Sequence, residues 1–141
     1  MFMKKPQVFL LALLTVLSFG FTKGPSAADL GKAKITISYT FANIEEGYDH
    51  QTKTEIYVDG ELVGTSTIKK ESEPNSITVK SNKGMHNIEI VNYAYYEGAW
   101  EKHTIENQYS QDFIYKADMN FKKSNSLTLV FDIDAGVKVI E

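Results

Sequence analysis

An all-β sandwich of two antiparallel sheets is the fold class this sequence predicts, and three observations carry it. From residue 33 onward the apolar residues recur with a period of two, and no window shows the longer period of an amphipathic helix. An Asp59-Gly60 dipeptide, which tolerates the positive φ of a tight hairpin turn, lies between two β-rich runs. Turn-forming residues divide the remainder so that roughly seven to nine short strands fit into about 110 residues, a spacing that favours a sandwich over a closed barrel.

The first strand is read over residues 33–41, where Ile35, Ile37, Tyr39 and Phe41 alternate with Lys34, Thr36, Ser38 and Thr40. Residues 43–53, polar and holding Gly47, read as a loop. Strands over 54–58 and 62–68 flank the Asp59-Gly60 turn, followed by a charged loop over 69–75 with Pro74 and a short strand over 76–80. Asn82-Lys83-Gly84 turns the chain into a long hairpin of residues 85–96 and 99–109 closed at Glu97-Gly98. Residues 113–121 and 127–133 read as a second hairpin turning through 122–126, and 137–140 as a final edge strand. No repeat or linker divides the chain, which predicts one domain over residues 29–141.

Residues 1–28 read as a secretory signal peptide. Lys4 and Lys5 precede an apolar stretch from Val8 to Phe21, and a small-residue exit places cleavage after Ala28, with Ser26 and Ala28 as the small pair. The apolar run has about 14 residues, where a membrane-spanning helix needs roughly 20. The expected destination is outside the inner membrane: periplasm, cell surface or medium. With no cysteine, the chain offers no lipid attachment site, no disulfide staple and no thiol chemistry, so stability must come from the apolar core that 43% hydrophobic residues supply. All 15 basic residues are lysines; without those of the signal segment, 12 face 18 acidic residues, a formal charge of −6. An acidic surface lacking the guanidinium fork is poorly suited to nucleic acid or an anionic membrane.

The run from Ile56 to Thr65, with Val58-Asp59-Gly60 and Val63-Gly64, together with Lys83-Gly84-Met85-His86-Asn87-Ile88-Glu89-Ile90, resembles the PEGA-type extracytoplasmic β-domain. The resemblance covers about a third of the chain and uses common hairpin vocabulary. It departs at the Pro-Glu-Gly-Ala element, since Thr65-Ser66-Thr67-Ile68 stands where the family has its proline. It implies an immunoglobulin-like or PEGA-like sandwich acting as an accessory or binding domain, with no catalytic residues to carry over.

If Glu97 and Gly98 are the turn residues, Tyr96 pairs with Ala99, Tyr95 with Trp100 and Tyr93 with Lys102. Alternation then groups Tyr93, Tyr95 and Trp100 on one face and Ile90, Asn92 and Ala94 on the other. Such rings suit stacking on sugars, so Tyr93, Tyr95, Tyr96, Trp100 and Lys102 are the candidate ligand-binding residues; the competing reading has the rings filling the sandwich core. His50, His86 and His103 are too far apart in sequence for a zinc site and are expected to be surface or partly buried residues. Asp132 and Asp134 offer calcium two carboxylates at a strand end, short of its six to eight oxygens without help from Glu45, Glu46 and Asp49. No hydrolase elbow, zincin helix or phosphate loop is present. Carboxylate pairs such as Glu101 with Glu106 or Glu45 with Glu46 would need a cleft that a sandwich of this size seldom encloses.

The sequence therefore predicts an exported, non-catalytic module recognising a glycan or an envelope protein, without cofactor. A structural domain pairing through a sheet edge is the alternative. A small hydrolase, which would need a pocket with shifted carboxylates, is the third.

Overall fold

A computed structural model describes residues 31–141, and the signal peptide expected over residues 1–28 lies outside them. Among the described residues ten strands appear in the order β1 (Lys32–Ala42), β2 (Gln51–Val58), β3 (Glu61–Thr65), β4 (Lys69–Lys70), β5 (Asn75–Asn82), β6 (Gly84–Tyr96), β7 (Ala99–Lys102), β8 (Ile114–Phe121), β9 (Ser124–Asp132) and β10 (Gly136–Ile140). They form two sheets packed face to face. The first has the order β10-β9-β1-β5; in the second, β3 and β4 pair with one edge of β2, and β6 carries β7 and β8 on its far edge. Among the described residues no helix is long and apolar enough to cross a membrane.

The period-two pattern of β1 does what its apolar residues demand: Ile35, Ile37 and Tyr39 are buried, and the intervening residues face outward. Ile56, Ile88 and Ile90 of the facing sheet, with Phe113, Phe121, Leu129 and Phe131, complete the core. The Asp59-Gly60 hairpin is formed, with both residues at positive φ (50° and 83°) as a type I′ turn requires. Its geometry is held by the Asp59 carboxylate, which accepts the Asn87 N–H at 2.9 Å and contacts His86 Nδ1 at 2.6 Å. Tyr39 ties the sheets together: its hydroxyl donates to Ser66 Oγ at 2.9 Å, and the same Oγ accepts the Thr54 N–H.

Three sequence expectations are corrected. Residues 113–121 and 127–133 do not pair with each other; β8 joins β6, while β9 crosses to the opposite sheet and runs parallel to β1, so that one strand pair in the sandwich is not antiparallel. Both strands bury one face, and alternation is satisfied equally by a hairpin or by a crossing between sheets. The Asn125 side chain organises that crossing by accepting from Lys122 N and donating to Lys122 O. The strand expected over 99–109 stops at Lys102, because Asn107 Nδ2 takes the Lys102 carbonyl and Asp112 takes the Ile105 N–H, converting the remainder into a loop with a 3-10 turn at Ile105–Asn107. Strand β2 begins at Gln51, inside the expected loop, where it gains β4 as a short partner. The expected edge strand is present as β10, whose Val139 and Ile140 are exposed.

Gly64 marks where β3 approaches the facing sheet. A Cβ there would lie 2.5 Å from Val79 Cγ1 and 3.2 Å from Ile77 Cδ1. Val79 is buried and β-branched, so it has little freedom to yield. Gly64→Ala is expected to cost about 1–3 kcal/mol through overpacking. An unchanged urea midpoint would show that β3 can move away from β5 freely.

Candidate functional site

Strands β7 and β8 share one edge of β6, and between them the chain leaves the sheet for residues 103–113. The excursion is pinched at its base: His103 N donates to Asn92 O, Phe113 N to His103 O, and Asn92 N to Phe113 O. Asn92, buried between them, donates through Nδ2 to Thr52 Oγ1 at 2.6 Å and Thr54 Oγ1 at 3.1 Å. This pinch turns His103 inward, where its ring stacks between Phe113 (centroids 4.0 Å, planes 20° apart) and Tyr109 (4.1 Å, 30°).

Beside this stack lies a cleft of about 360 Å³ at the end of the sandwich, near the lower end of the usual range for small-ligand pockets. Its walls come from the loop before β2, from Tyr96 and Glu101 on the β6–β7 hairpin, and from Asn107, Gln108, Tyr109 and Ser110 of the excursion. His50 is among the residues lining it, with Tyr48, Tyr96 and Tyr109 edge-on to its ring at centroid distances of 6.2, 5.6 and 6.4 Å. Tyr109 donates its hydroxyl to Glu101 Oε1 at 2.7 Å; burial and that carboxylate both push the phenol well above its usual range.

Glu71 forms the floor. It follows the two-residue β4, and its N–H donates to the His50 carbonyl, which carries its side chain under the excursion. Its carboxyl is only 1% exposed and lies 3.7 Å from His103 Nδ1, too far for a hydrogen bond. Glu71 Oε1 and both His103 ring nitrogens are buried without a partner. Burial pushes Glu71 up to about 8, reinforced by the nearby Asp49, and burial pulls His103 down to about 4, with His50 adding to the effect. Burial thus favours the neutral form of both groups.

The candidate residues read from the sequence are divided by the sheet. The pairings Tyr96 with Ala99, Tyr95 with Trp100 and Tyr93 with Lys102 are those observed. Tyr93, Tyr95, Trp100 and Lys102 occupy the outer face of the second sheet, so these rings do not fill the core; Tyr96 points to the other side and lines the cleft. The outer rings do not make a flat platform, because Tyr95 and Trp100 are inclined at 59° and Lys53 Nζ covers the Trp100 ring at 4.7 Å.

Asp132 and Asp134 are placed for a structural task. Asp132 accepts from Asn43 Nδ2, Lys138 Nζ and the Asp134 N–H, which engage both its oxygens and, led by Asn43, hold its carboxyl well below the usual range. Asp49, expected to assist calcium, instead binds Ser72 through both oxygens. Among the described residues no three His, Asp or Glu side chains are grouped to hold a metal ion.

Two further expectations are corrected. A cleft is present, where a sandwich of this size was expected to enclose one only seldom, and His103 is fully buried, where a surface or partly buried position was expected. Extending the Tyr93–Lys102 register by one residue puts His103 opposite Asn92 on the inner face, so the signal for its burial was present. Glu71 had no such signal, since Lys70-Glu71-Ser72-Glu73 reads as an ordinary solvated run. The chain matches no protein-family model and no curated protein sequence.

Proposed function

We propose that the domain is an exported, non-catalytic recognition module whose ligand, a glycan or a segment of an envelope protein, sits in the cleft at the hairpin end of the sandwich. The observation that carries this reading is the unpaired Glu71 and His103 beneath an open, tyrosine-walled pocket. Buried polar groups without partners cost about 1–3 kcal/mol each, a loss that a ligand supplying the missing hydrogen bonds would recover. The PEGA-type resemblance around Val58-Asp59-Gly60 supports the accessory role.

A second reading is favoured by one specific feature. A carboxyl raised to about 8 and a second carboxylate, Glu101, border the same cleft, and an acid beside a carboxylate is the equipment of glycoside hydrolysis. Both readings meet in one experiment. The purified protein is titrated with cell-wall and polysaccharide fragments while amide shifts are followed by NMR and the fragments by mass. Binding is expected to shift the amides of Glu71, His103 and Tyr109 and leave the fragments intact. Shortened fragments would establish the hydrolase, and shifts confined to β10 would establish edge pairing instead.

A further inference from the structure

The lining of the cleft has a charge pattern that narrows the ligand further. Glu45, Glu71 and Glu101 are among the residues that line it, and no lysine is among the described residues lining it. Around them stand the rings of Tyr48, Tyr96 and Tyr109, whose π faces attract cations as well as the polarised C–H groups of a sugar. Glu71 is the decisive member: a carboxyl 1% exposed, with one oxygen unpartnered, that has His103 as a neighbour at 3.7 Å but no cation to hold it ionised. An ammonium group brought into the cleft would be that cation. Beside Ile44 and Ile133 the wall also carries Asn107, Gln108 and Ser110. The Asn107 and Ser110 donors are used on the Lys102 and Ile133 carbonyls, which leaves the Asn107 amide oxygen and the Gln108 amide as partners for hydroxyl groups that the methylene stem of a lysine side chain would leave unused.

We propose that the cleft takes an amino sugar, with its protonated amine directed to Glu71 and Glu101 and its ring held against the tyrosine walls. This rests on the reading of the cleft as the binding site and commits to the glycan over the protein partner.

The test compares, at neutral pH, a trisaccharide of glucosamine, the same trisaccharide N-acetylated, a glucose trisaccharide, and n-butylammonium as the stand-in for a lysine side chain. Affinity is read by calorimetry, and the site is mapped by the NMR shifts of Glu71, His103 and Tyr109. The glucosamine trisaccharide is expected to bind at least about tenfold more tightly than any of the other three, and Glu71→Gln and Glu101→Gln are each expected to reduce that binding about tenfold while leaving the amide spectrum of the free protein folded. Tyr96→Ala, at an exposed position on the cleft wall, is expected to weaken it without unfolding the domain. Equal binding of the acetylated or glucose trisaccharide at the cleft would overturn the amine while sparing the binding site. Equal binding of n-butylammonium would overturn the sugar. Shifts confined to the outer rings, or no shifts with any of the four, would overturn the proposal, and a further absence of shifts with the cell-wall fragments would remove the binding-site reading as well.

Discussion

Phe113→Ala is expected to destabilise the domain by about 3–5 kcal/mol, the usual cost of removing a fully buried ring. Phe113 has no exposure and touches rings on every side: His103 at 4.0 Å, Phe131 at 5.1 Å and Phe41 at 5.8 Å between centroids. It joins the core to the cleft, so the loss should be felt in both. Thermal unfolding should drop by at least about 12 °C, given roughly 4 °C per kcal/mol in a domain of this size. The His103 ring, deprived of the surface it stacks on, should become accessible, and its NMR titration should move up from about 4 toward 6.5, the ordinary histidine value. A His103 that stays depressed in the variant would mean that its burial does not depend on Phe113. The truncation would then be a local cavity without consequence for the cleft.

The second large effect is one of pH. Burial raises Glu71 from 4.5 to about 8, so the folded chain holds a proton there that the unfolded chain releases. The stability contributed by that proton is full below 4.5, declines as the pH rises through 8, and is gone above it. His103 works in the opposite sense, because its folded value of about 4 lies below 6.5. Its contribution is full above 6.5 and lost as the pH falls toward 4. Between 4.5 and 6.5 the two oppose each other, and between 6.5 and 8 Glu71 titrates while His103 stays neutral. His86, raised by its contact with Asp59, loses stability with rising pH in the same sense as Glu71, so the comparison must be made against Glu71→Gln, which keeps His86. Relative to this variant, the parent's melting temperature is expected to fall by roughly 5 °C or more from pH 6.5 to 8. Parallel curves for the two proteins would show that Glu71 is already ionised in the folded state across this range.

The origin of the cleft explains which parts of the molecule were legible beforehand. Strand β1, the Asp59-Gly60 hairpin and the β6–β7 register follow from residue types a few positions apart: alternation sets a buried face, and a positive-φ dipeptide sets a turn. Those are local constraints, and they appear in the structure at the expected residues. The faces of Tyr93, Tyr95 and Trp100 followed from the same register, but whether that face was core or surface depended on where the other sheet packed.

The crossing of β9 to pair with β1, the interruption of the outer edge at His103 and the burial of Glu71 belong to another class. The first and last are fixed by contacts across 30 or more positions, β1 with β9 and Glu71 with His103, and the interruption by side chains of the excursion that compete with the ladder for the backbone. A run reading Lys-Lys-Glu-Ser-Glu is indistinguishable from a solvated loop until β4 pairs with the start of β2 and draws Glu71 beneath the excursion. By itself the sequence determined the strand-rich class, the half-buried faces, the tight turn and the absence of thiol chemistry, because these depend on composition and short-range periodicity. Only the tertiary structure decided that one glutamate and one histidine would be stripped of water together. Desolvation is a property of everything packed around a group, and for Glu71 and His103 those neighbours are scattered from Asp49 to Phe113 along the chain.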